Sequence, residues 1–388
     1  MNSKERILTA FEHKEADRVP CAELHLMSPI SSELLGREAI TGEGGWTIWT
    51  QKEMVASGRR DEYVERLKVD TVDAFTQAGL DNILMELDPP KDTQKKITDL
   101  DEAVWIEEYP NGLWAKFKYE KIADTVLEID SSEKQDGASA VKRHLDTLEE
   151  SKFYIDEGCF ESTKYAVEKA GNEKFIMAKV PNLFPSGRSW YTYFMEMIYI
   201  EPDLAERMFD VYTKYALAAV KRYAEIGVDC VMIASDWAYN AGPIFAPDVV
   251  AKYMAPQVQT IADYCHAHDV LVLKHTDGNI WMIEDIFFNM GIDGYQGMEP
   301  NVGMRIAEVK AKYGDHVTLM GNVDCGHTLP FGTKEEVIEE TTACVRDGAK
   351  GGGYILSSAN SIAHPTPLKN FLTMIETVHK YGVYPIEF

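Results

Sequence analysis

Apolar residues fall along this chain in two rhythms. Short unbroken runs of aliphatic and β-branched residues alternate with longer stretches whose apolar positions recur every three or four residues. The first rhythm predicts strands buried on both faces, the second amphipathic helices. Strands are expected at 21–25, 71–76, 175–180, 230–234, 270–274, 294–298, 317–320 and 354–357. Helices are expected between them, at 51–67, 145–150, 161–170, 202–226, 247–267, 304–313, 334–347 and 368–381. Parallel strands joined by helical crossovers predict an α/β fold, a (β/α)8 TIM barrel with a β-hairpin insertion, spanning residues 1–388 as a single domain. At the start, Asn2 and Glu5 form a capping pair for a helix at 3–12, with Ile7, Leu8 and Phe11 on one face.

The rhythm breaks at 101–130. Trp105 to Tyr109, the turn Pro110-Asn111-Gly112, and Leu113 to Tyr119 read as a β-hairpin, and 125–129 is strand-like again. This stretch is too short for its own core and is expected as an insertion within the barrel. Residues 42–49, rich in Gly, Trp and Thr, and the polar 131–139 are expected as loops.

The organising stretch is 270–280. A run of Val and Leu gives way abruptly to His275, Thr276, Asp277, Gly278 and Asn279, followed by a helix-like segment at 281–290. In a (β/α)8 barrel such junctions at the carboxyl ends of strands carry the chemistry. The other strand ends are polar as well. They offer His25, then Asn182 with Trp190 beyond it, Asp236 with Trp237 and Tyr239, Gln296 with Glu299, Asn322 with Asp324 and Cys325, and Asn360. Asp236, His275, Asp277 and Glu299 are the candidate acids and bases. Any one of them reads equally well as a helix cap or an ion-pair partner. Trp190, Trp237 and Tyr239 either wall a substrate or pack loops onto helices.

Standard signatures are missing. There is no P-loop, no Gly-x-Gly-x-x-Gly after a strand, no His-Glu-x-x-His and no Gly-x-Ser-x-Gly. The six cysteines are dispersed without a Cys-x-x-Cys pair, so neither a zinc ribbon nor a disulfide framework is indicated. With 63 Asp and Glu against 39 Lys and Arg, the net charge of −24 disfavours nucleic acid and anionic membranes. No signal-like start or membrane-length apolar run occurs, and a cytoplasmic location is expected.

Glu5-Arg6-Ile7-Leu8-Thr9-Ala10-Phe11 with Asp17-Arg18-Val19-Pro20, Lys274-His275-Thr276-Asp277-Gly278-Asn279, Met320-Gly321-Asn322-Val323-Asp324 and the 353–360 block resemble the uroporphyrinogen decarboxylase superfamily. The resemblance keeps the order of the blocks over nearly the whole chain and implies a pocket at the carboxyl-end mouth of a barrel. Decarboxylases of that superfamily carry an Arg-rich segment after the first strand for their tetracarboxylate substrate. Here 23–29 contains no Arg. The corrinoid-dependent methyltransferase branch is the better match. Its thiol-specific members hold zinc with His-x-Cys and a later Cys, where this chain has His275-x-Asp277 and Asn360. With two expected thiolates absent, zinc stays open, and Cys325 is the one sulfur near a strand end.

The implied activity is O-demethylase-type transfer of a methyl group from a methoxylated donor or methylated amine to a corrinoid (cobalamin) on a partner protein. Asp236, His275, Asp277 or Glu299 would protonate the leaving group, and His25, Trp190, Trp237, Tyr239, Asn322 and Asn360 would bind the donor. The alternatives are a decarboxylase and a non-catalytic barrel that binds a methylated ligand or a corrinoid protein. The assembly, monomer or homodimer, is open.

Overall fold

The computed structural model of the protein describes residues 1–387. Its centre is a curled parallel sheet of seven strands, in spatial order Asn82–Met85, Phe175–Lys179, Cys230–Ile233, Leu271–Thr276, Gly294–Gly297, Thr318–Val323 and Tyr354–Ser358. Spatial order follows chain order, as in a singly wound parallel barrel. The strand expected at 21–25 is instead an extended segment that meets the sheet through isolated bridges at Cys21 and Leu26, and it lies between the two edges. Cys21 makes a parallel bridge to Leu356, and the Asp81 amide donates to the Cys21 carbonyl at 2.7 Å. The Asn82 side chain replaces further ladder bonds on that side, accepting from the Glu23 amide and donating to its carbonyl.

Alternation sets what fills the ring. Ala22, Leu24, Leu84, Met177, Met232, Leu273, Met320 and Ile355 form one apolar cluster with Ile7 and Ala10 of the first helix. That helix, Ser3–Phe11, carries the expected Asn2–Glu5 capping box and closes the amino-terminal end. Two residues further along the strands the same inward face turns polar, with Glu86, Lys179, His275 and Gln296. The ladders carry this layer around the ring, since Met85 pairs with Ala178 and His275 with Gln296.

Several expectations are corrected. Residues 71–76 are no strand. They end the helix Arg60–Gln77, and their buried members Thr71, Ala74 and Phe75 are spaced three and one apart, as on a helix face. The strand at this position is the four-residue Asn82–Met85, buried throughout. Residues 45–49 open the helix Gly45–Ala56 instead of forming a loop, and the helix expected at 51–67 is interrupted at 57–59. The polar 131–139 is largely helical. It contains Ser132–Asp136, capped by Ser131, which is itself buried, and runs into Ala138–Glu150.

Between the first two strands of the parallel sheet stands a four-stranded antiparallel sheet, Lys96–Asp101, Val104–Glu108, Trp114–Glu120 and Thr125–Ser131. It packs on the helix Gly45–Ala56 through Trp49, whose ring lies 5.5 Å from Trp105 and 5.8 Å from Tyr119. No helix among the described residues is long and apolar enough to cross a membrane.

Candidate active site

The strand Leu271–Thr276 ends by presenting His275 inward, and the turn after it brings Asp277 back beside it. Gly278 permits that turn, with φ +82° and the backbone of Ala238 and Tyr239 where a Cβ would lie. From the neighbouring strand end, Ser235 takes φ +75° and Asp236 follows it. The result is a three-member cluster. His275 Nε2 lies 3.6 Å from Asp236 Oδ1 and 3.6 Å from Asp277 Oδ1.

The tautomer of His275 follows from its neighbours. The Gln296 amide nitrogen donates to the carbonyls of Ser358, at 3.1 Å, and Asn360, at 3.3 Å. Gln296 Oε1 must therefore accept, and it accepts from His275 Nδ1. In the neutral ring Nε2 is then a bare lone pair directed at two carboxylates. Burial lowers the basicity of His275, against the pull of Asp236.

Asp277 is in a matching predicament. Its Oδ2 accepts from Asn360 at 2.7 Å, while its buried Oδ1 has no partner. Burial first, then Asp236 and Glu299, push its carboxyl up to about 7. The bare lone pair, the unpartnered Asp277 oxygen and the half-exposed Asp236 carboxylate converge on a place suited to a cation, either a proton or a divalent metal. The ligating atoms of Asp236, His275 and Asp277 lie within 4.8 Å of one another, and an imidazole with two carboxylates suits zinc. Cys325 is outside this cluster. Burial, then Asp277, holds its thiol up to about 12, so the ionised form that metals bind is disfavoured there.

Lys274 underlies the cluster from the other face of the sheet. It is fully buried, and its ammonium donates to the carbonyls of Ala234 at 3.2 Å, Ser235 at 3.0 Å, and His275. Burial pulls it down to about 7, against the attraction of Asp236 and Asp277.

The other predicted residues divide. Asn360 joins the cluster through Asp277, and Glu299 touches it by accepting from the Gly278 amide at 2.8 Å. Asn322 is buried, with its amide spent on the carbonyls of Met298 and Met304. Trp237 is a core residue, edge-on to Phe287 and beneath the Lys274 ammonium. Trp190 lines a separate 500 Å³ cavity with Trp114, Tyr212 and Arg188. Tyr239 is exposed.

His25 belongs to a second cluster on the opposite side of the mouth. Its Nε2 meets Glu86 Oε1 at 2.5 Å, Glu43 Oε1 lies 3.9 Å from Nδ1, and Lys179 pairs with both carboxylates. The sequence reading missed Glu43, Glu86 and Lys179. The available signal was alternation, since Lys179 is two residues beyond the inward Met177. Misplacing the second strand hid Glu86.

Comparison with known proteins agrees with this architecture. The uroporphyrinogen decarboxylase (URO-D) family pattern matches residues 186–381, just over half of the 388 residues, and the chain belongs to that family. The uroporphyrinogen decarboxylase of Actinobacillus succinogenes is 24% identical over 221 residues, 53% of this chain and 61% of that protein. The methylcobamide:CoM methyltransferase MtaA of Methanosarcina barkeri is 26% identical over 188 residues, 48% of this chain and 52% of that protein. The chain thus spans about half the length of the curated relatives it matches. A solved methyltransferase from Methanosarcina mazei shares the fold over 98% of this chain and 99% of its own, with a TM-score of 0.65 at 18% identity.

Proposed function

We propose that this protein is a corrinoid-dependent methyltransferase that takes a methyl group from an O-methyl or N-methyl donor and passes it to the cobalt of a corrinoid on a partner protein. One observation carries the reading. The unpartnered Asp277 Oδ1 faces the bare Nε2 of His275 at the mouth of the barrel. That corner is built to hold a proton or a metal ion against the heteroatom that leaves when a methyl group is removed. The likeness to MtaA supports it, because that relative's name makes it a methyltransferase acting on a methylated corrinoid.

The decarboxylase names among the relatives lead to a different expectation, a mouth with several free cations for carboxylates. The described cations here are engaged. Lys179 pairs with Glu43 and Glu86, Arg188 with Glu128, and Lys274 is buried under backbone carbonyls.

In the proposed reaction the bond from the methyl carbon to oxygen or nitrogen breaks, and its electron pair stays on the heteroatom. A corrinoid held by the partner protein would supply, in its cobalt(I) state, the electron pair that accepts the methyl group. The leaving oxygen or nitrogen takes a proton, and Asp277, carrying one close to neutral pH, donates it. Asn360 orients Asp277, Gln296 fixes His275, and Asp236 completes the pocket. If zinc is bound, Asp236, His275 and Asp277 hold it, and it supplies a Lewis acid for the leaving heteroatom.

The test mixes the protein with cob(I)alamin and methoxylated aromatic or methylated amine donors. The expected result is the absorbance change of cobalt methylation, with no decarboxylation of uroporphyrinogen. Decarboxylation without methyl transfer would overturn the reading.

A further inference from the structure

The second cluster at the mouth is organised around a lysine. Lys179 is the cation of the inward polar layer made by Glu86, Lys179, His275 and Gln296. Its ammonium pairs with Glu43 and stands 3.6 Å from Glu86. Because that ammonium already lies among Glu43, Glu86 and His25, these groups do not form a metal site, although their ligating atoms converge.

The two carboxylates are held differently. Glu86 stands at a barrel strand end, next to Met85, and is fixed from a second side by His25, which also contacts Ser361. Glu43 arrives from a loop outside the sheet, 136 residues from Lys179 in sequence. Its side chain is 42% exposed, against 16% for Lys179. Among the described residues its contacts are Lys179 and the more distant His25. Gly42, at φ +63°, and Gly44 flank it. A half-exposed carboxylate on a glycine-flanked loop is free to turn out to solvent, and the cost falls on the buried Lys179, which keeps Glu86 as its remaining carboxylate. Lys179 would then present a free N–H into the mouth.

Lys179 itself lines neither of the two neighbouring cavities, and Glu43, which lines the smaller one, stands between its ammonium and open space. A cavity of 180 Å³ is lined by His25, Glu43 and Glu86, and it shares the walls Ile48, Gln51 and Pro89 with a chamber of 660 Å³. Trp105, Tyr109 and Phe117 line the larger chamber, a surface suited to an aromatic body.

We propose that Lys179 anchors a carboxylate on the methyl donor, and that Glu43 holds this place until the donor arrives. The exchange is charge-neutral, one carboxylate for another, so it avoids the cost of burying an unmatched charge. The substrate class is thus a methylated, carboxylate-bearing donor with an aromatic body. A single anion subsite also separates this mouth from one built for a tetracarboxylate. The inference rests on the methyl-transfer reading only in calling the ligand a donor.

Binding is measured by isothermal titration calorimetry on the full chain, with 4-methoxybenzoate and its neutral isostere 4-methoxybenzamide. The acid is expected to bind more tightly than the amide by roughly tenfold or more, the scale of one charge-assisted hydrogen bond. Lys179→Gln should abolish that preference and leave amide binding as it was. Glu43→Gln should tighten acid binding, because the competing carboxylate is gone, and damage to the fold cannot produce a gain. Equal binding of acid and amide by the unaltered protein, or weaker acid binding by Glu43→Gln, would overturn the proposal. The titration needs no turnover. A protein that prefers the acid but transfers no methyl group refutes the methyltransferase reading alone, and one that methylates cobalt from acid and amide equally refutes the carboxylate subsite alone.

Discussion

Asp277 Oδ1 and His275 Nε2 stand 3.6 Å apart, and no described residue donates a hydrogen bond to that buried oxygen. Neither atom has a proton of its own to share while Asp277 is ionised and the imidazole is neutral. The pair is therefore a vacancy for positive charge, and Asp236, equally near to Nε2, deepens it.

A divalent cation should find that vacancy. Titration with zinc is expected to reach one ion per chain. Asp277→Asn and Asp236→Asn should each weaken binding by about tenfold or more, and Cys325→Ala should leave it unchanged. Metal analysis after dialysis gives the stoichiometry. Zinc lost in Cys325→Ala and kept in Asp277→Asn would place the ligands around the strand Thr318–Val323 instead.

The pH dependence has a defined sign. Asp277 is raised from 3.8 to about 7 in the folded protein. Between those values the unfolded chain has released the proton and the folded chain keeps it. Stability therefore falls as pH climbs through this window, with the full cost present above 7. Glu23, raised by burial from 4.5 to about 8, adds a slope of the same sign that ends higher. Melting curves from pH 4 to 8 should flatten partly in Asp277→Asn and partly in Glu23→Gln. Zinc affinity should run the other way, rising through pH 7, because the metal takes the ionised carboxylate.

What could be read from the sequence was whatever rests on periodicity and local chemistry. The strand near 270–274 and its polar end are visible because a β-branched run cannot be mistaken beside His275-Thr276-Asp277-Gly278. Asp236 and His275 were legible as polar ends of consecutive strands, while their 3.6 Å approach depends on the turn at Ser235. The short strand Asn82–Met85 was hidden because four buried residues carry no alternation, while Thr71-Val72 nearby imitates a strand inside a helix. Trp237 illustrates the other failure. Its position beside Asp236 suggested a substrate wall, and only the packing of Phe287 against its ring reveals a core residue. Glu43 could not be assigned at all, since its link to Lys179 depends on a loop conformation that no local pattern encodes.

Gln296 should prove as sensitive as the residue it orients. Its amide is fixed by two carbonyls, so it can only accept from His275. Gln296→Leu removes that acceptor and frees the imidazole to choose either tautomer. The expected loss is about 10- to 100-fold in zinc affinity or turnover, the usual scale for a group that orients a metal-binding histidine. Nitrogen-15 NMR of the imidazole should show one neutral tautomer in the unaltered protein and a mixture in the variant. A variant with a single unchanged tautomer and full activity would remove Gln296 from the site.

Lys274 supplies the last prediction. Its three ammonium donors go to the carbonyls of Ala234, Ser235 and His275, and the group is fully buried. Those carbonyls bracket the left-handed Ser235 that aims Asp236 at the histidine. Lys274→Met keeps an unbranched side chain of similar length but removes the ammonium over the Trp237 ring and strands the acceptors. An unsatisfied buried acceptor costs about 1–3 kcal/mol, so denaturant melts should show a loss of at least that size. The chemical consequence should be separable from the structural one. With Ser235 released, Asp236 swings from His275, and zinc affinity at pH 8 should fall further than in Phe287→Leu, a core variant of comparable instability that touches Trp237 but donates to none of these three carbonyls. Equal zinc affinity in the two variants would reduce Lys274 to a part of the core.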